Sequence, residues 1–385
     1  DHPEIYDPGI ELFAERVQRW TVTSDGAEIC TEDTYVGLVV EGWVLTEEDG
    51  VYVHGAREIY LRSVDDLPDS EALGAVVDEV IAELAELRKA PSPGAYIGPA
   101  LLSGQAASTL FHEALGHRLE GERLVARGES KTFAHKRGER ILPAGLDVYD
   151  DPTIESFAGH ALWGSYRIDA EGIPAARAQL VIDGVLRGFL QSRTPIPGSS
   201  KSNGHSRHDG FQRPMARMGT LVVEARDGGD SWDLLVDRLI DLARSQGRKQ
   251  GLIISHVRAG ETSTSDYDFQ AFKGELAEVF LIDVKTRRQT RIRDVELIGT
   301  PLSALQRIVG HGGEVGVDQG HCYAESGSVP VSGIAPAILL SELELQQKST
   351  TGYHEPLLPP PFADDGSRGR RGKLRERGRR RPKAS

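Results

Sequence analysis

Two imidazoles and a carboxylate lie on the polar side of a predicted helix in the run FHEALGHRLEG, residues 111–121. The imidazoles belong to His112 and His117, and the carboxylate belongs to Glu113. Imidazole nitrogen is a good ligand for Zn²⁺, and a carboxylate that does not bind the metal can take a proton from water. The run therefore predicts part of a zinc site with Glu113 as general base. The alternative is that both histidines are surface residues of an amphipathic helix.

The spacing of the two histidines predicts a distortion of this helix. An ideal α-helix turns about 100° per residue, so side chains five residues apart diverge by about 140°. A regular helix would not direct both rings to one ion. We therefore predict a π-type bulge or a break at Gly116, where the missing β-carbon lowers the cost of the distortion.

A zinc site needs further ligands, and Cys322 in the run GHCY is a candidate because a thiolate binds Zn²⁺ strongly. We expect it in a glycine-rich loop; the alternative is an inert core cysteine. The other cysteine, Cys30, is predicted to be a buried or half-exposed thiol. Two cysteines are too few for a disulfide framework and favour a reducing cytoplasm.

The elements that must position these residues are segregated along the chain. Strand-like runs and helical periodicities do not alternate regularly, which favours an α+β fold over a doubly wound parallel sheet. A hairpin is predicted at Asp183-Gly184, because Asp-Gly between β-rich runs is a strong turn signal. Residues 90–95 form the candidate linker. Helices are predicted over 69–89, over 105–120 with Ser103 as cap, and over 231–245.

Composition and charge limit the possible classes of protein. The 385 residues are 39% hydrophobic and 27% charged, which excludes a collagen-like, mucin-like or wholly disordered chain. No apolar run reaches the roughly 18 to 20 residues of a membrane span, and no secretory signal is readable. We therefore expect a cytoplasmic protein that is not an integral membrane protein. The sequence opens at Asp1, so a processed start remains open.

The net charge of −13 is unevenly distributed. Residues 366–385 contain ten Lys or Arg and one Glu, so this tail carries +9 and the rest of the chain −22. An acidic body argues against nucleic-acid binding by the folded part and leaves any such role to the tail. We expect the tail to be a disordered, solvated appendage; the alternative is a phosphate-binding arm.

Several ordered motifs resemble the TldD/PmbA family of metallopeptidases. The run HEALGHRLEG resembles the family's metal-binding signature, and the similarity extends from about Gly94 to Leu345. The other runs that carry the resemblance are KTFAHKRGERILPAGLDVYDDPTI, WGSYRIDAEGIPAARAQLVIDGVLRGFLQSR, NGHSRHDGFQRPMARM and GHCYAESGSVPVSGIAPAILLSELEL.

The resemblance implies an activity and a ligand set. It makes His112, His117 and Cys322 the ligands of one Zn²⁺ per chain and Glu113 the catalytic base. The implied function is a metallopeptidase that hydrolyses peptide bonds in unfolded or extended peptides. Because this chain keeps all four residues, it resembles the metal-bearing, TldD-type subunit. The implied partner is a metal-free, TldE/PmbA-like homologue in a heterodimer, or a second copy in a homodimer.

The resemblance also implies a domain organisation. Residues 1–93 are expected to be a remnant of an N-terminal and middle α+β domain. Residues 94–350 are expected to form a β-rich C-terminal metallopeptidase domain. Residues 351–385 are expected to be a Pro-rich and then basic disordered tail.

His205 and Arg207, in the run NGHSR, are candidate substrate or oxyanion contacts. Negative charge on a tetrahedral intermediate needs a stabilising donor, and either side chain can supply one. The family tends to show paired arginines at this place, so the interposed histidine and serine are a departure. The alternative is that both are charged residues of an exposed loop.

Two other functions compete with the peptidase. A zinc amidase or deformylase acting on a small group would also use two histidines and a cysteine. A metal-free subunit would use the same fold only to hold peptides. Zinc content after purification without chelator, and relative activity on formylated amino acids and unstructured peptides, separate these readings.

Overall fold

The computed structural model of this protein describes residues 2–129, 131–265 and 271–348. The tail predicted over 351–385 lies outside the described residues. None of the described helices is long and apolar enough to cross a membrane.

Strands outnumber helices among the described residues. The helices are α1 (Ser70–Leu87), α2 (Gly104–Ala114), α3 (Trp232–Ser245) and α4 (Pro301–Gln306). The strands are β1 (Ile5–Val22), β2 (Glu28–Leu45), β3 (Tyr52–Leu61), β4 (Tyr96–Leu102), β5 (Leu146–Asp150), β6 (Ser156–Phe157), β7 (His160–Ala161), β8 (Ala178–Ile182), β9 (Val185–Leu186), β10 (Ser206–Arg207), β11 (Met215–Ala216), β12 (Thr220–Ala225), β13 (Gln250–Thr262), β14 (Phe272–Asp283), β15 (Gln289–Arg291), β16 (Val295–Gly299), β17 (Ile308–Ala324) and β18 (Gly327–Gln347).

The first three strands form an antiparallel sheet in the order β1-β2-β3, and α1 packs against it. Asp69 caps α1, because its side chain accepts hydrogen bonds from the backbone N–H groups of Glu71 and Ala72. The helix predicted over 69–89 is thus confirmed with slightly shorter bounds. β1 was not predicted, because most of its side chains are exposed and no apolar alternation marks it.

Most of the other described strands form an eleven-stranded mixed sheet, while β6-β7 and β10-β11 form two small two-stranded sheets. Its path is β15-β14-β13-β4-β18-β12-β5-β8-β9, with β16 and β17 pairing off the path. Leu102 of β4 packs in one apolar core with α2, while its neighbour Leu101 packs in a second core with α3. Because successive strand residues point to opposite faces, α2 and α3 cover opposite faces of the sheet. The predicted α+β class is confirmed.

The structure confirms two short-range sequence predictions in this part of the chain, a helix and a hairpin. The helix predicted over 231–245 is α3; Ser231 caps it, and its apolar side is buried at Leu235, Val236, Leu239 and Ile240. The hairpin at Asp183-Gly184 joins β8 to β9. Its two residues have φ of 49° and 73°, the positive values that a two-residue hairpin turn of this type requires.

Candidate metal centre

Helix α2 positions the first candidate residues. Its N-terminus is capped by Ser103, whose side chain accepts a hydrogen bond from the Ala106 N–H. Its last turn carries His112 and Glu113. The apolar side that holds the helix on the sheet is fully buried and consists of Ala106, Ala107, Leu110, Phe111 and Ala114.

The predicted break in this helix is confirmed, but its form and cause differ from the prediction. α2 ends at Ala114, Leu115 leaves helical geometry with φ −120° and ψ −56°, and a 3₁₀ helix follows over Gly116–Leu119. The break is therefore not a π-type bulge. A β-carbon at Gly116 would lie 2.0 Å from Met218 Sδ, so the missing side chain leaves room for the buried Met218.

The break directs the two imidazoles to one sulfur. His112 Nε2 lies 3.2 Å from Cys322 Sγ, and His117 Nε2 lies 3.3 Å from the same atom. Among the described residues, these three side chains form a group whose donor atoms all lie within 4.8 Å of one another. Residues separated by 210 positions thus meet at a single point.

Cys322 lies in a strand, and the prediction of a glycine-rich loop is wrong. β17 runs antiparallel to β18, and Cys322 pairs with Val329. Gly316 of β17 serves close packing, because a β-carbon there would lie 2.4 Å from the backbone nitrogen of Gln105 in α2. Glycine weakens a strand pattern, which explains why this strand was read as a loop.

The local charges favour a thiolate at Cys322. Burial alone would raise the pKa of this thiol, but the imidazoles of His117 and His112 lower it well below its ordinary value. Burial also opposes the charged form of both imidazoles, but the negative sulfur raises the pKa of each. Thiolate is the form of cysteine that binds metals.

The three donors fit a zinc ion. Two imidazole nitrogens and one thiolate are typical zinc ligands, and three protein ligands are the usual number in a catalytic zinc site. All three donors are gathered at the wall of one cavity, so an ion held there would be open to a further ligand.

Glu120 supports His117 from behind. Its Oε1 lies 3.3 Å from His117 Nδ1, and its side chain is fully buried. Burial would raise the pKa of Glu120, but Arg123, His117 and Arg217 lower it to about 2. A carboxylate facing Nδ1 leaves Nε2 free as the ligand nitrogen. Sequence analysis missed this residue, although it lies only three positions after His117 in the same run.

Arg123 connects this carboxylate to the cysteine strand. It donates to Glu120 Oε2 at 2.8 Å, to Glu325 Oε1 at 3.0 Å and to Thr264 Oγ1 at 2.7 Å. Glu325 lies three residues after Cys322. The segment after α2 and the segment after the cysteine are therefore held by one guanidinium.

Glu113 lies beside the three donors and is buried. Burial raises the pKa of its carboxyl group above the ordinary value, although nearby His112 and His117 oppose the rise. A carboxylate with a raised pKa accepts a proton more readily, as a general base requires.

The cavity beside these residues has a volume of about 660 Å³. Two strand segments form much of its wall, residues 258–262 of β13 and 318–324 of β17. Tyr60 of β3 contributes a further part. The N-terminal sheet thus contributes to the cavity wall. Trp163 packs edge-on against Tyr60 of that sheet and against His321 of β17.

His205 and Arg207 lie away from this cavity wall. His205 is fully buried, with Nδ1 2.9 Å from the Asn203 carbonyl oxygen and Nε2 3.2 Å from Asp150 Oδ1. Arg207 is also buried, and its guanidinium donates to the backbone carbonyls of Met218 and Pro330. The exposed-loop alternative is therefore wrong, and this geometry gives the oxyanion role no support.

Cys30 is exposed, so the prediction of a buried or half-exposed thiol is wrong. It pairs with Trp20 of β1 near the free end of the β1–β2 hairpin. Trp20 is itself 72% exposed, because this end of the hairpin lies beyond the cover of α1.

The comparisons with known proteins agree with the site. The model of the PmbA/TldA metallopeptidase C-terminal domain matches residues 93–347. A metalloprotease of Methanothermobacter thermautotrophicus is 31% identical over 325 residues, covering 82% of this chain and 64% of that protein. The chain thus spans slightly less than two thirds of that relative's length.

Two more distant proteins share the similarity. A zinc metalloprotease TldD homolog of Saccharolobus solfataricus is 20% identical over 351 residues, covering 89% of this chain and 72% of that protein. The crystal structure of TldE from Thermococcus kodakarensis matches with a TM-score of 0.59 at 18% identity, covering 84% of this chain and 65% of that one. At this identity the structural match establishes only a common fold.

Proposed function

This chain belongs to the PmbA/TldA metallopeptidase family, and we propose that it is a zinc-dependent peptidase acting on unfolded or extended peptides. The observation that carries the proposal is the convergence of His112, His117 and Cys322 beside the buried carboxylate of Glu113, in one cavity. The name of the Saccharolobus relative supports zinc as the metal.

The proposed roles follow from the positions of the side chains. The two imidazoles and the thiolate would hold the zinc ion, which when bound would supply Lewis acidity toward the scissile carbonyl and a water molecule. Glu113 takes the proton from the attacking water and returns it to the leaving amine, an acid–base cycle worth about 10²–10⁴-fold. Glu120 keeps the His117 ring in orientation.

Extended peptides are the proposed substrates because two strand edges border the cavity. Over residues 259–262, β13 pairs with β14; over residues 316–324, β17 pairs with β18. Among the described residues, neither segment has a strand partner on its other side. A peptide can add to such an edge through main-chain hydrogen bonds, with little selectivity for side chains.

The cellular compartment and the partner subunit of this enzyme are also proposals. We place it in the cytoplasm, because its two cysteines are unpaired and one of them is a candidate metal ligand. The fold shared with TldE supports a dimer with a metal-free homologue of that type. The metal-free alternative for this chain itself is disfavoured, because all three donors are present and converge.

The test compares the parent protein with Glu113→Gln, using zinc analysis and hydrolysis of an unstructured peptide. The variant is expected to keep one zinc per chain and to lose turnover by about 10²–10⁴-fold. Glu224→Gln, a change at an exposed glutamate of β12, is the control and is expected to match the parent. Undiminished hydrolysis by Glu113→Gln would refute the base assignment.

The same assay decides between a peptidase and an amidase or deformylase. A peptidase cleaves the unstructured peptide faster than a formylated amino acid. The opposite preference would favour the amidase or deformylase, which uses the same donors on a smaller group.

A further inference from the structure

Gly260 of β13 lies directly against the side chain of Glu113. A β-carbon at residue 260 would lie 2.5 Å from Glu113 Oε1, 2.6 Å from Cγ and 2.8 Å from Cδ. Real β-carbons essentially never approach other atoms closer than 3.0 Å. The side chain of Glu113 therefore occupies the space that a β-carbon at residue 260 would fill.

Burial and backbone hydrogen bonds hold Glu113 in its position beside Gly260. Its side chain is buried, and its exposed fraction is 6%. Its backbone is also held, because Arg118 donates to the Glu113 carbonyl oxygen at 2.7 Å and to Thr262 Oγ1 at 2.9 Å. Arg118 thus ties the end of α2 to β13 only two residues beyond Gly260. The helix and the strand cannot separate to admit a methyl group without breaking this link.

Gly274, the glycine paired with Gly260, has no comparably close contact at its missing β-carbon. Gly274 of β14 pairs with Gly260 across the sheet. A β-carbon at Gly274 would lie 3.4 Å from the nearest atoms of Leu297 and 3.5 Å from Val257 Cγ1, at or near ordinary contact distance. Of the two paired glycines, residue 260 is the one that borders the carboxylate.

We propose that Gly260 is a positioning residue for Glu113: its missing side chain sets where the carboxylate stands relative to the three metal-donor side chains. This inference rests on the proposed function, in which Glu113 is the base. Displacement of a catalytic group by about 1 Å can cost about 10²-fold in rate, and the clash at residue 260 requires a shift of several tenths of an ångström or more.

The first test compares Gly260→Ala with Gly274→Ala in peptide hydrolysis. For Gly260→Ala we expect kcat to fall by about 10–100-fold, with KM within about twofold of the parent and one zinc per chain retained. Gly274→Ala is expected to keep the parent's kcat. Equal kcat in the parent and Gly260→Ala would overturn the inference.

The second test uses stability and does not depend on activity. Gly260→Ala is expected to lower the urea midpoint of unfolding in the parent background. In a Glu113→Ala background, which removes Cγ, Cδ and Oε1, the same change is expected to leave the midpoint unchanged or raise it. Alanine restricts the unfolded chain more than glycine does, so without a clash it tends to stabilise. Gly274→Ala is expected to have the same effect in both backgrounds.

The two tests separate the inference from the proposed function. If the loss of stability in Gly260→Ala persists undiminished with Glu113→Ala, the contact between these residues is not its cause and the inference is wrong. If the parent hydrolyses no peptide, the proposed function fails, and the stability cycle still decides whether Gly260 positions Glu113.

Discussion

Two buried clusters of this chain each contain a histidine beside a charged or ionisable partner, and they use their donor atoms differently. Around Cys322, the Nε2 atoms of His112 and His117 face one sulfur at the wall of a cavity. Around His205, both ring nitrogens already contact protein oxygens, from Asn203 and Asp150, and the cluster lies off the cavity wall.

The difference distinguishes a site from a structural anchor. Asp150 also accepts hydrogen bonds from the backbone N–H groups of Gly219 and Thr220, so the His205 cluster joins segments of the fold. In the Cys322 cluster, His117 Nδ1 faces Glu120, but among the described residues the two Nε2 atoms and the sulfur face one another, which is the arrangement that an ion completes. A buried histidine alone therefore does not mark a metal site; the Cys322 cluster is distinguished by its two Nε2 atoms, its sulfur and its position on the cavity wall.

The largest effect on zinc is expected from Cys322→Ala, which removes the sulfur donor. Stoichiometric zinc should be lost, and peptide hydrolysis should fall by on the order of 10³-fold, because Lewis-acid stabilisation is worth several kcal/mol. Atomic emission and a peptide assay measure both quantities. Cys30→Ser, at the exposed cysteine, is the control and should keep full zinc. If Cys322→Ala still bound one zinc per chain, the Cys322 cluster could no longer be distinguished from the His205 cluster as the metal site.

An intermediate effect is expected from Glu120→Gln, which weakens the support behind His117. Affinity for zinc should fall by about 10–100-fold, measured by competition with a chromophoric chelator. The control is Glu129→Gln, since Glu129 also binds Arg123 but, among the described residues, forms no ion pair with His117 as Glu120 does. Equal affinities in the two variants would show that Glu120 serves only the arginine network.

The smallest effect on zinc is expected from His205→Ala. This change leaves buried oxygens without a partner and opens a cavity, so the free energy of unfolding should fall by about 3 kcal/mol in urea titrations. Zinc content should stay at one per chain. Loss of zinc at parental stability would mean that the two clusters are not separate in function.

Short-range features of the site were predictable from the sequence. His112, Glu113 and His117 are recognisable by residue type, and their spacing alone required the break that the structure shows at Leu115. The helix cap at Ser103 and the turn at Asp183-Gly184 were also predictable, because each depends only on residues nearby in the sequence.

Features that depend on packing between distant segments were not predictable in this way. Residue type made Cys322 only a candidate ligand, and its assignment came from the resemblance, since nothing local links it to a helix 210 positions earlier. The burial of His205 and Arg207 depends on contacts with residues 150, 218 and 330. The glycine-rich run of β17 predicted a loop, because the packing of Gly316 against α2 is visible only in three dimensions.

X-ray absorption at the zinc edge, on parent protein purified without chelator, tests most directly whether both imidazoles and the thiolate hold one ion. The expected shell contains one sulfur at about 2.3 Å and two imidazole nitrogens at about 2.0–2.1 Å. A zinc shell of nitrogen and oxygen alone, with no sulfur scatterer, would contradict joint binding by His112, His117 and Cys322.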